Sequence, residues 1–90
     1  MDNQHRKITG YRELDAADIA LMNRIKALEA EVEDVVRSVR THIDMQGSEE
    51  DRRRHAFAEP CRWLAIGRTD IQQGFMALTR AVAQPTPREE

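Results

Sequence analysis

The stretch "LMNRIKALEAEVEDVVRSVR" at residues 21–40 decides the fold. Within it Leu21, Ile25, Leu28, Val32, Val35 and Val39 recur at alternating spacings of 4 and 3, and the pattern continues to His42. Such a heptad repeat draws one apolar seam along a helix, whereas a half-buried strand would need every second residue apolar. Just upstream, Asp15 followed by Asp18 reads as an N-cap with a second acid near the positive helix end. Downstream, Gly47 offers a left-handed stop. The helix is therefore assigned to 16–45, which at roughly 1.5 Å per residue is about 45 Å long.

Ser48 with Asp51 repeats the start signal, and Glu49/Arg53, Glu50/Arg54 and Asp51/His55 are i,i+4 pairs that support the first turns of a second helix. A second seam follows in Phe57, Cys61, Leu64, Ile71, Phe75, Leu78 and Val82, with Arg68 standing where an apolar residue is due. The short link Met45–Ser48 makes the two helices antiparallel neighbours, an αα-hairpin. Pro60 has no amide hydrogen and disfavours helical angles at Glu59, so the second helix, 49–83, kinks or breaks there. The hairpin domain is assigned to 1–85, with a leader at 1–14; "QPTPREE" at 84–90 reads as disordered, and 86–90 fall outside the domain.

Composition agrees with an all-α chain. Ninety residues, 33% charged and only 4% aromatic, suit one small helical domain near the lower limit for a core of its own. Gly67, Gly74 and Ala81 recur every seven residues, a stripe without large side chains where another backbone could pack closely. Met22, Val36, Ile43, Trp63, Ile66 and Met76 lie off the two seams, and one hairpin cannot cover them all. The expectation is a homo-oligomeric helical bundle.

The inventory for catalysis is poor. Cys61 sits on the seam and reads as packing, and as the single cysteine it forms no intrachain disulfide. His42 and His55 could approach each other across the hairpin, but no Glu-x-x-His pair accompanies them, so neither a metal nor a cofactor is expected. No phosphate-cradling glycine loop or hydrolase motif is present. No apolar run approaches the ~20 residues of a membrane span, and "MDNQHRK" lacks the core of a signal peptide. A reducing cytoplasm is the expected compartment, and the protein reads as a binder and not an enzyme.

Charge directs the choice of ligand. The net charge of −2 argues against a duplex DNA binder, yet Arg6, Lys7 and Arg12 crowd the leader and Arg52, Arg53, Arg54, Arg62 and Arg68 crowd residues 52–68. Arg52–Arg54 read as a solvated face paired with nearby acids. In the leader "HRKITGYR" at 5–12, Tyr11 offers a flat face for a base, Gly10 lets the backbone pass close by, and the flanking cations can neutralise phosphates. Lys26 lies one position past Ile25, at the edge of a helix interface. A small anionic ligand fits these features better than a groove of DNA.

Three segments carry a resemblance: "HRKITGYREL" at 5–14, "DIALMNRIKALEAE" at 18–31 and "EPCRWLAIGRTDIQQGFMALTRAVAQP" at 59–85. Together they resemble the phage-encoded anti-CBASS cyclic-nucleotide sponges, which share a cyclic-nucleotide-binding helical hairpin domain. The resemblance implies a non-enzymatic protein of the host bacterial cytoplasm that sequesters the cyclic oligonucleotide messengers of antiphage immunity. It implies a homohexamer holding cyclic dinucleotides such as cyclic GMP-AMP between protomers, and in some members cyclic trinucleotides in separate pockets near a threefold axis. On the matching positions, Tyr11 and Lys26 would sandwich a base, with Arg62 as a candidate phosphate contact. Arg68 and Thr69 are the candidates for a second, trinucleotide pocket. The competing expectation is a structural or adaptor coiled coil with no small ligand.

Overall fold

The computed structural model describes residues 13–86. They form α1 (Ala16–Asp44), α2 (Glu49–Ala58) and α3 (Pro60–Ala83), with no strand among the described residues. The described residues form an elongated body measuring 63 × 28 × 17 Å along its principal axes.

α1 starts at a complete capping box: Asp18 N–H donates to Asp15 Oδ1 at 2.8 Å, and Asp15 N–H donates to Asp18 Oδ2 at 3.1 Å. Its other end corrects the expectation of a glycine stop. The helix closes at Asp44 with a right-handed Met45 as C-cap, and Gly47 is not in the left-handed region. Met45 N–H reaches Thr41 O at 3.0 Å and Gln46 N–H reaches Ile43 O at 3.1 Å, so the carbonyls of Thr41 and Ile43 are satisfied without a residue at positive φ.

α2 opens on a second box, in which Asp51 N–H donates to Ser48 Oγ at 3.0 Å and Ser48 N–H donates to Asp51 Oδ2 at 3.2 Å. Of the three expected pairs only Glu49–Arg53 forms, at 3.6 Å. Arg54 takes Asp51 instead, at 2.6 Å, and His55 turns to Gln46.

At Glu59 the backbone is left-handed, φ 48° and ψ 58°, and this one residue is both the C-cap of α2 and the N-cap of α3. Pro60 follows as the first residue of α3, a position where its missing N–H has no helical partner to lose. Carried further into a continuous helix, the ring would meet the carbonyl of Ala56. The open question of kink or break is thus resolved as a break into separate helices.

The break resets the register. α3 packs antiparallel on α1 with Arg68 opposite Glu33. A hairpin closing directly at Met45–Ser48 would have set Arg68 near Ile25; the excursion through α2 moves it about two turns along α1.

It also redraws the seams. The face α1 turns to α3 is Met22, Ile25, Glu29, Val32, Val36 and Ile43, while Leu21, Leu28, Val35 and Val39 are exposed. Thus Ile25 and Val32 stay on the inner face, and three residues read as off the seam replace the rest. On α3, Leu64, Phe75 and Val82 are half-buried as expected, but Cys61, Ile71 and Leu78 are exposed, and Phe57, carried away on α2, is 89% exposed. A Cβ built at Gly67 or Gly74 meets nothing within 4 Å, so among the described residues no backbone packs against the stripe at these two glycines. Only Ile43 and Ala83 of the described apolar side chains are buried outright.

Candidate ligand-binding site

Between α1 and α3, near the middle of the hairpin, runs a groove of about 580 Å³. Arg37 and Arg40 reach it from α1, and Arg68 and Thr69 from α3, with Glu33 as its one lining carboxylate. The spacing explains the convergence. Arg37 and Arg40 are three residues apart and share a helical face with Glu33, and the antiparallel register brings Arg68 to the same level.

Each arginine is held loosely by a carboxylate. Arg68 Nε stands 3.8 Å from Glu33 Oε2, Arg37 Nη2 3.5 Å from Asp34 Oδ1 and Arg40 Nε 3.5 Å from Asp44 Oδ2. All three side chains are more than half exposed. Exposed pairs of this length are weak, so a phosphate offering a bidentate partner can displace the carboxylates. Thr69 adds a hydroxyl that can donate to a phosphate oxygen. The groove can therefore take an anion.

Arg68 and Thr69, neighbours in the sequence, both line this groove. Tyr11 lies outside the described residues. Lys26 is exposed on α1, at the level of α3 near Phe75. Arg62 sits at the opposite end of α3, where its guanidinium lies 5.5 Å from the Trp63 ring centroid and 3.7 Å from Glu59 Oε2. On the Glu33–Arg68 register, Lys26 and Arg62 are roughly 20 Å apart along the hairpin. One chain does not bring them to one pocket.

The sequence reading missed Arg37 and Arg40. Their common face was visible in the 37/40 spacing, but the groove opposite depends on the shifted register. Cys61 lines this groove and is exposed, a correction to its reading as seam packing. His42 and His55 do meet, but through an amide: Gln46 Nε2 is 3.3 Å from His42 Nε2, and His55 Nε2 is 2.9 Å from Gln46 Oε1. Among the described residues no group of three or more His, Cys, Asp or Glu could hold a metal ion, and no helix is long and apolar enough to cross a membrane.

Fold and groove together define a small helical-hairpin protein with an anion-competent face and little core of its own. The model of the Acb2/Tad1 hairpin domain matches residues 3–83, and the chain belongs to that family. It is 45% identical over 105 aligned positions to Anti-CBASS protein 2 of Pseudomonas phage JBD67, an alignment spanning 94% of this chain and 97% of that protein. The family resemblance read from the three segments therefore holds.

Proposed function

We propose that the protein is a non-enzymatic phage inhibitor of CBASS immunity that binds cyclic oligonucleotide messengers in the host bacterial cytoplasm and withholds them from their effectors. The observation that carries this reading is the 45% identity, across nearly the whole chain, to a relative named Anti-CBASS protein 2. The groove supplies the chemistry: three guanidiniums and a hydroxyl suit several phosphates on one small ring.

Two kinds of site follow. Arg68 and Thr69, joined by Arg37 and Arg40, take the phosphates of a cyclic trinucleotide. Tyr11 and Lys26 sandwich a base of a cyclic dinucleotide such as cyclic GMP-AMP, and Arg62 contacts its phosphate from a second copy, since within one chain it lies too far from Lys26. The working unit is a homo-oligomer, for which a hexamer is the expected size. Its support is the exposed apolar stripe on α1, which would waste burial energy in a monomer.

Calorimetry with cyclic GMP-AMP and with a cyclic trinucleotide tests the reading. Nanomolar binding, worth about −12 kcal/mol, with unaltered ligand recovered after heat denaturation, is the expected result. A linearised product would make the protein a phosphodiesterase, and self-association with no binding of either ligand would leave the adaptor coiled coil, which the exposed heptad stripe also favours.

A further inference from the structure

An exposed apolar stripe runs along the outer face of α1. Leu21, Leu28 and Val35 recur every seven residues along the outer face and are 44%, 48% and 60% exposed. Leu21 and Leu28 line a shallow, mostly apolar depression with Ala27 and Ala30, and Arg24 and Glu31, seven residues apart, line it too. Most described arginines are engaged in their own chain, Arg37, Arg40, Arg53, Arg54, Arg62 and Arg68 in ion pairs and Arg52 with the carbonyl of Gly47. Arg24 and Glu31 make no such contact with the described residues.

We infer that this face is a self-complementary seam, covered by α1 of a second copy running antiparallel about a two-fold axis between Ala27 and Leu28. An isologous contact requires that when residue i meets j, j also meets i. Two-fold rotation about that point places Arg24 against Glu31 of the second copy, and Glu31 against its Arg24, on either side of the axis. Leu28 then packs over the small Ala27 of the other chain, and the alanines let the two backbones approach. Leu21 comes level with the Asp34–Val35 region of its partner. A parallel pairing would instead set Arg24 against Arg24 and Glu31 against Glu31, like charges at both contacts. The charge pattern thus selects the second copy, and selects its direction.

This inference rests on the self-association proposed above, and a charge-reversal cycle separates the two. Light-scattering mass is measured for the full chain and for R24E, E31R and the R24E/E31R double variant, with helical circular dichroism as the check on folding. The expected result is an assembled wild type, at least tenfold weaker association for each single variant, and recovery in the double variant, where opposite charges again face each other across the seam. A monomeric wild type would overturn self-association itself and leave the stripe to a segment of its own chain. An assembled wild type whose single variants associate equally well would overturn the seam alone, as would single variants that weaken association without rescue in the double. Should a single variant fail to fold, L28A in place of both reads the same seam: unchanged association of a folded L28A protein would place the second copy elsewhere.

Discussion

Arg68 on α3 and Glu33 on α1 approach to 3.8 Å, and among the described ion pairs theirs is the one that joins the two long helices. Both side chains are well exposed, at 55% and 39%, so the pair is worth less than about 1 kcal/mol to the hairpin. Its role is electrostatic. On the proposed function, Glu33 competes with a ligand phosphate for Arg68. Arg68→Ala is expected to leave the thermal midpoint within a few degrees of wild type while weakening cyclic trinucleotide binding at least tenfold. Glu33→Gln is expected to act oppositely on binding, strengthening it severalfold, because it removes the carboxylate that competes with the ligand. Calorimetry beside a melting curve checks both; a large loss of stability in Arg68→Ala would make the pair a structural clasp.

The cap of α2 gives a pH dependence with a definite sign. The Arg54 side chain, then the hydrogen bonds from Ser48, hold the Asp51 carboxyl below its ordinary value. A carboxylate whose folded-state pKa is depressed contributes stability that is complete above the unfolded-state value and is lost as pH falls through the folded-state value. Protection of the α2 amides against hydrogen exchange is therefore expected to fall on acidification through the carboxylate range. In Asp51→Asn that acid response should flatten. Ser48→Ala, which removes the other half of the box, should lower local stability by about 1 kcal/mol at neutral pH. Equal exchange in the variants and wild type would deny the box any part in holding α2.

Glu59 tests the break. Its left-handed backbone, φ 48°, costs a side-chain-bearing residue roughly 1 kcal/mol, more for a β-branched one. Glu59→Gly relieves that strain and loses only an exposed pair with Arg62, so a melt should show it equal to or slightly more stable than wild type. Glu59→Val should melt lower. Were Val tolerated as well as Gly, the helix would run through this position in another conformation.

The reach of the sequence ended at this residue. The caps of α1 and α2 were legible because Asp15/Asp18 and Ser48/Asp51 act over three residues, and the family was legible because its motifs are local. The register was not, because it depends on whether Pro60 bends one helix or begins another. From that single ambiguity came the misplaced seam of Phe57 and Cys61 and the failure to see Arg37 and Arg40 opposite Arg68. The heptad in α1 was read correctly as apolar periodicity, but two faces were folded into one: a 4,3 spacing through Leu21, Ile25 and Leu28 runs along the boundary between the inner face at Ile25 and the outer face at Leu21 and Leu28.

The separation of Lys26 from Arg62 supplies a test of where the dinucleotide pocket is built. If a base is stacked on Lys26 and Tyr11 of one chain while its phosphate meets Arg62 of another, then Lys26→Ala and Arg62→Ala should each abolish high-affinity binding of cyclic GMP-AMP in the pure variant. When the two variants are mixed, unfolded and reassembled in equal amounts, some pockets receive Lys26 from one chain and Arg62 from the other. Random assembly about a symmetric oligomer makes these about one quarter of the total. Calorimetry of the mixture should then recover wild-type affinity at about one quarter of the wild-type stoichiometry. A pocket built within a single chain would recover none, and Arg62→Ala that binds normally on its own would return that arginine to its partners Glu59 and Trp63.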